Sequence, residues 1–304
     1  MANEAEHPPF SGHKRRQEPR SAEERDHQER ADRHKEQTEE QHVESATKLT
    51  SKLVYEVIRR DGEEELSRTN RSLFVAGLSA GVLIGFSLVA ESVFRTYLPD
   101  AEWTFLVENL GYSFGFLLVI LGRMQLFTEN TITAVLPALR DPCLDMLWQV
   151  SRLWGVVLGA NVVGAAIAGG WMAYVGSLPP EVQPAIEELS LHATSFGAWE
   201  TFLRGIPAGL LVAAIVWMMP QAEGGEVLII TMFTWLIAAG DFTHVIVGSV
   251  EISYLVAKGL LPIWTGITTS FLPMLAGNVV GGTVIFALMA WGQVRDDFVP
   301  GQGR

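Results

Sequence analysis

Long stretches without a formal charge set the terms for this chain. Residues 72–90, 153–180, 205–222 and 259–294 carry no Asp, Glu, Lys or Arg over 19, 28, 18 and 36 positions. A helix needs about 20 mostly apolar residues to cross roughly 30 Å of hydrocarbon. A chain with four such runs folds in a bilayer, as an all-α protein that crosses it several times. The amino-terminal part is of the opposite character. Residues 1–68 hold 13 of the 22 Lys+Arg and 17 of the 34 Asp+Glu, and between Met1 and Glu40 the only apolar side chains are Met1, four alanines and Phe10. Such a segment cannot bury a core.

These contrasts divide the 304 residues into four parts. Residues 1–44 read as a solvated, mixed-charge cytoplasmic tail. Residues 45–68 read as an amphipathic helix at the membrane surface or against its own bundle. Leu49, Leu53, Val54, Val57 and Ile58 lie on its apolar stripe, and Lys52, Glu56, Arg59 and Arg60 face away. Residues 69–294 form the membrane domain, and 295–304 a short tail. The net charge of −12 without a basic stripe argues against nucleic acid as a partner. Cys143 is the single cysteine, which excludes an intrachain disulfide and a multi-cysteine metal site. No apolar signal-peptide core occurs in the first 70 residues, so the first span is expected to direct insertion.

Six apolar segments follow the amphipathic helix, at about 73–94, 105–139, 147–176, 202–219, 227–254 and 267–291. The second and fifth differ from the rest. In the second, 14 uncharged residues end at Arg123, and a polar knot closing at Glu129 precedes ten more. In the fifth, 14 uncharged residues end at Asp241, with His244 close behind. Fourteen helical residues reach only about 21 Å, short of the hydrocarbon thickness. Both segments are therefore expected to be helices broken inside the membrane. The halves also echo each other: Ala80-Gly81 with Ala208-Gly209, Phe127-Thr128 with Phe242-Thr243, and Asn161-Val162-Val163-Gly164 with Asn278-Val279-Val280-Gly281, at offsets of 128, 115 and 117. Three spans per copy place the second copy upside down. Interrupted helices at matching places in inverted halves point to a transport site near the midplane. Arg59, Arg60, Arg68 and Arg71 before the first span favour a cytoplasmic amino terminus, and six spans return the carboxyl terminus to the same side.

His244 is the leading functional residue. A lone histidine in a soluble core is usually structural; within a bilayer an ionisable group is costly and tends to face a pathway. Its ordinary pKa of about 6.5 suits proton exchange near neutrality. Restarting helices add unpaired N–H groups and a positive dipole end, which favour an anion. Thr128, Glu129, Asn130 and Asp241 suit helix capping, line-up along a pathway, or both. Asn161 and Asn278 lie among glycines, where a buried amide ties helices or an exposed loop backbone together, with substrate contact the alternative. Leu126, Phe127, Phe242, Tyr112, Phe116 and Ile237 are by spacing ordinary lipid-facing or core residues.

Taken together, Leu126-Phe127-Thr128, Phe242-Thr243-His244 and the paired Asn-Val-Val-Gly segments resemble the formate/nitrite transporter family over residues 68–292. The resemblance implies an aquaporin-like fold of six spans with broken second and fifth helices, assembled as a homopentamer with one pore per protomer. It implies a plasma (inner) membrane protein of a bacterium that passes small monovalent anions of weak acids, such as formate, nitrite, lactate or hydrosulfide, without a cofactor. Leu126, Phe127 and Thr128 match the family's omega-type loop, with Thr128 hydrogen-bonded to His244. Tyr112 and Ile237 match the outer constriction, and Phe116 the inner one. Asn278 matches the asparagine of the last span. His244 matches the histidine held to protonate the entering anion.

This chain departs from the family pattern where charge matters. Ala208-Gly209 stands for a Cys-Asn pair, Thr243 for the Glu before the histidine, Gly248 for an Asn, Asp241 for a small residue, and Glu129 for a small polar one. Two carboxylates near a pore repel an anion unless protonated or paired, with Arg123 the candidate partner. They favour the alternative of a pore for a small neutral or cationic solute. A membrane scaffold or receptor acting through the tail is a further alternative. Gly240-Asp241 fits intramembrane aspartyl chemistry only with a second carboxylate sharing its proton, and every other Asp falls in the tail or a loop, so enzymatic activity is not expected.

Overall fold

The computed structural model describes residues 49–295 and, in isolation, His27. The charged tail, the first residues expected for the amphipathic helix and all but Arg295 of the carboxyl tail lie outside the described residues. Eleven helices follow one another, and no strand occurs among the described residues: α1 Ser51–Ser67, α2 Asn70–Tyr97, α3 Thr104–Leu121, α4 Phe127–Thr133, α5 Val135–Arg140, α6 Leu144–Tyr174, α7 Gln183–Ala193, α8 Ala198–Gln221, α9 Glu226–Ala239, α10 Val245–Ala257 and α11 Ile263–Val294. Five of them (α2, α3, α6, α8 and α11) are long and apolar enough to cross a membrane. α9 and α10, with 14 and 13 residues, reach only about 20 Å each.

The second and fifth apolar segments resolve into successive helices with a turn between them. α3 stops at Leu121 and α4 begins at Phe127; α9 stops at Ala239 and α10 begins at Val245. Both stops are built alike. Gly122 and Gly240 cap the ending helix, and the next residue, Arg123 or Asp241, takes a left-handed conformation with φ of 51° or 52°. A non-glycine residue pays for that geometry, so the surroundings must enforce it.

Two helix pairs form the frame, α2 against α6 and α8 against α11, with α10 laid across α6. Small residues let the paired backbones touch. A Cβ on Gly81 would overlap the carbonyl oxygen of Asn161, and one on Gly209 would overlap that of Asn278. The outer surface keeps an apolar cover: Phe74, Phe114, Leu118, Ile167, Leu228, Met232, Val284 and Met289 are all exposed. In water such a surface would aggregate; in a bilayer it is matched by lipid or by another copy.

The amphipathic helix is present, but its buried face is rotated from the expected stripe. Val54, Tyr55, Ile58, Arg59, Gly62 and Leu66 are buried, whereas Leu53 is 47% exposed. The reason is the partner. α1 docks on its own bundle: Tyr55 donates a hydrogen bond to the carbonyl of Leu136 and packs on Trp291, and Gly62 lies against the backbone of Thr133. Arg59, expected to face outward, is held by Glu56 at 2.7 Å and by Glu63, while Glu56 also reaches Arg140 at 2.9 Å. α7 is a helix the apolar runs do not reveal, since it lies between them and buries only Ala185, Ile186, Leu189 and Ser190.

Candidate functional site

The two helix restarts carry the same hydrogen-bond set. At the first, the Asn161 side chain accepts from the N–H of Phe127 at 2.8 Å and donates to the carbonyls of Gln125 at 2.9 Å and Gly77 at 2.7 Å. At the second, Asn278 accepts from the N–H of Val245 and donates to the carbonyls of Thr243 and Gly205, each at 2.9 Å. Both asparagines are fully buried. One amide thus closes the orphan groups on both sides of a chain break, where water is excluded and each unmet group would be costly.

This pairing corrects the repeat register. Phe127 corresponds to Val245, and Leu126 to His244, an offset of 118; the shared Phe-Thr dipeptides at 115 are a chance match. It also corrects the capping assignment. Thr128, Glu129 and Asn130 lie within the first turn of α4 and Asp241 lies in the turn, so none of them caps; the cap positions are Leu126 and His244.

His244 is 2% exposed, and both ring nitrogens have partners. Nδ1 accepts from the N–H of Val247 at 3.4 Å, and Nε2 stands 2.8 Å from Thr128 Oγ1. Phe116 meets the imidazole edge-on with ring centroids 5.0 Å apart, and Tyr112 adjoins Phe116 at 5.4 Å. Tyr112, Phe116, Ile237, Leu126 and Phe127 are all buried. Phe127 turns toward Trp154 at 5.6 Å and away from both cavities.

Two cavities lie near the helix restarts, and His244 lines the smaller of them. The smaller, about 70 Å³, is lined by His244, Tyr112, Phe242, Asp241, Glu91 and Glu251 among others. The larger, about 630 Å³, opens beside α1 and is lined by Asp61, Glu65, Glu129, Arg123, Gln125 and Ile120 among others. Tyr112, Phe116 and Ile120 recur every four residues along α3, so one helix face leads from the small cavity past His244 to the large one over about 12 Å. Asn278 lies outside both linings and acts on the loop, as does Asn161.

Arg123 is bonded to neither carboxylate singled out in the sequence. Asp241 is held by His192 Nε2 at 2.9 Å and by Arg204 at 3.9 Å. Glu129 buries Oε1 without a partner. Sequence reasoning missed Glu65, which accepts from Thr133 Oγ1 at 2.6 Å, Asn130 at 3.0 Å and Gln125 at 3.1 Å and so ties α1 to the first restart. It also missed Glu91 and Glu251, although His244, Gly248 and Glu251 fall on one helix face by their spacing of four and seven.

A sequence model of the formate/nitrite transporter family matches residues 52–292. The inner membrane protein YfdC of Escherichia coli is 44% identical over 245 residues, covering 80% of this chain and 79% of that protein. The formate channel FocA of Haemophilus influenzae is 26% identical over 245 residues, covering 69% and 82%. Among solved structures, an FNT family ion channel superposes with a TM-score of 0.70 at 19% identity, over 79% of this chain and 98% of that one. A pentameric formate channel with formate bound superposes with a TM-score of 0.63 at 22% identity, over 74% and 98%. A multi-span helical frame, two matched chain breaks and a family model covering nearly all of the described residues lead to one conclusion: the chain belongs to the formate/nitrite transporter family.

Proposed function

We propose that the protein is a channel or proton-linked carrier for a small monovalent anion of a weak acid, which is protonated at the His244 step and crosses as the neutral acid. The observation that carries this reading is the buried His244, bonded to Thr128 and edged by Phe116, beside the α3 face that runs from one cavity to the other. An anion alone is strongly disfavoured in such a slit, whereas its neutral acid is not. Thr128 fixes the ring, Leu126 and the Tyr112, Phe116 and Ile237 side chains narrow the passage, and Phe242 and Asp241 border its approach. Asn161 and Asn278 hold the two turns that create it.

On this reading the two restarts are half-helices meeting within the bilayer, in two inverted three-span halves with both termini cytoplasmic. The large cavity beside α1 then faces the cytoplasm. The names of the relatives support a bacterial inner membrane location and assembly as a homopentamer. Uptake of formate, nitrite, lactate and hydrosulfide by proteoliposomes, measured across external pH, tests the reading. Flux should rise as the pH falls, and His244→Asn and Thr128→Val should abolish or reshape that uptake. Flux that ignores pH in the unaltered protein defeats it. The competing reading, a pore for a neutral or cationic solute, is favoured by Asp61, Glu65 and Glu129 around the large cavity; a small-cation arm in the same assay, carrying flux where the acids do not, selects it.

A further inference from the structure

The weak-acid reading needs a proton source, and His244 is poorly placed to be it. Because Nδ1 accepts from the N–H of Val247, the neutral ring carries its one proton on Nε2, where Thr128 Oγ1 engages it. Giving that proton up would leave an imidazolate in an apolar slit. Taking on a second would turn an N–H on Nδ1 against the N–H of Val247.

Three other acids share the small cavity with it: Asp241, held by His192 and Arg204, and two that lack such partners. Glu91, on α2, and Glu251, on α10, both line that cavity and are 8% and 9% exposed. Among the described residues neither carboxyl group has a hydrogen-bond or ion-pair partner. The basic side chains nearby are bonded elsewhere: Arg95 to Glu108 at 2.5 Å and Glu188 at 3.3 Å, and His192 and Arg204 to Asp241. Glu181 and Glu187 from the adjoining segments and the Tyr112 hydroxyl add no positive charge. Two buried carboxyl groups without a counter-charge cannot both be ionised, so at least one keeps its proton. Glu251 lies seven residues beyond His244 on one face of α10, about 10 Å further along the axis. Gly248, between them, is the close-packed point of that face: a Cβ there would overlap the Met274 sulfur and come within 4.0 Å of Glu251 Oε2.

We infer that Glu91 and Glu251 form a carboxyl pair that donates the proton to the entering weak-acid anion before it reaches His244. The inference rests on the weak-acid reading and assigns its proton source. In the step, the O–H bond of one pair member breaks and an O–H bond forms on the permeant carboxylate. The pair, doubly protonated beforehand, keeps its second proton and takes on the single negative charge, the neutral acid moves on into the slit, and a hydronium ion at the mouth re-protonates the pair and leaves water. No oxidant or reductant is involved. The arrangement also explains how acidic residues can line an anion route: the protonated pair presents a donor where an ionised pair would repel.

The test uses the full chain in proteoliposomes with formate as probe, comparing the unaltered protein with Glu91→Gln, Glu251→Gln, the double variant and Glu251→Asp. The inference expects the double variant to lose at least tenfold in uptake at acidic pH and to lose most of its pH dependence, with Glu251→Asp restoring the pH profile in part. A double variant with unchanged rate and profile overturns the inference while leaving the weak-acid reading intact. An unaltered protein that carries no weak acid at any pH overturns both. Should the double variant fail to elute and melt as a folded protein, infrared difference spectra of the unaltered protein decide. Addition of formate must weaken a carboxylic-acid carbonyl band, and an unchanged band overturns the inference.

Discussion

Replacing Asn278 by Leu, which keeps the side-chain shape and removes its polar atoms, tests the central architectural claim. Three hydrogen bonds of 2.9 Å are lost at once, to the N–H of Val245 and the carbonyls of Thr243 and Gly205. Each buried group left unmet costs about 1–3 kcal/mol by soluble-protein measurements. Side-chain bonds between helices in bilayers average nearer 0.6 kcal/mol. The three together bracket a loss of roughly 2 to 9 kcal/mol. Taking about 3 kcal/mol, a domain of this size should melt about 6–12 °C lower. Intrinsic tryptophan fluorescence of the detergent-solubilised protein reads this directly. Asn161→Leu should cost a similar amount, since its three bonds run to the equivalent groups at the other restart. Asn278→Asp should be worse than Leu, because it keeps the acceptor for Val245 but turns a carboxylate toward two carbonyls. A melting point within about 2 °C of the unaltered protein for Asn278→Leu would refute the reasoning.

Further predictions follow from packing and charge. Gly209→Ala should force α8 and α11 apart and cost about 1–3 kcal/mol, whereas Gly159→Ala, where an added Cβ meets nothing within 4 Å, should hold or raise the melting point; equal effects at the two sites would contradict the close crossing. The docking of α1 should depend on pH through Glu65, whose burial raises its pKa above the ordinary 4.5. A raised carboxyl pKa means the docked helix binds the proton more tightly than the undocked one, so this contribution is complete below 4.5 and is lost as pH rises from there through the raised value. Glu56 acts in the opposite sense, held down at about 2 mainly by its bond to Arg59; its contribution is complete above 4.5 and fades only between there and about 2. Above pH 4.5, therefore, amide exchange across residues 51–67, corrected for intrinsic rates, should quicken with rising pH until the raised value is passed, and Glu65→Gln should abolish the trend.

What the sequence disclosed, and what it hid, follows from the range over which each signal acts. The apolar segments and both interruptions were legible because a charge inside a bilayer-length run is a local event, visible at Arg123 and Asp241. The Asn-Val-Val-Gly echo was legible because each asparagine must meet the same three backbone groups. The pairing of the two turns was not, because their side chains have diverged: Leu126 stands where His244 stands in the other half, and only the N–H bonded by each asparagine reveals the register. The buried face of α1 was misread because Arg59 turns inward to Glu56 and Glu63, an arrangement that hydrophobicity does not encode. Glu91 and Glu251 escaped notice because each adjoins an uncharged run instead of splitting it into short halves. That they share one cavity depends on the packing of α2 near α10, nearly 160 positions along the chain.

The asparagine tethers also determine which parts can move. Each amide fastens a long helix to both ends of a turn, making Gly77, Gln125 and Phe127 one rigid hub and Gly205, Thr243 and Val245 another. Bending within a hub would tear three bonds at once, so any widening of the proposed passage should follow the seam between hubs. There the Thr128–His244 contact and the Ser113–Thr234 hydroxyl pair, each at 2.8 Å, are exchangeable links, beside the Ser113–Thr231 and Thr283–Thr131 bonds. The machine is stiff where the chain is broken and yielding where its two halves merely lean on each other.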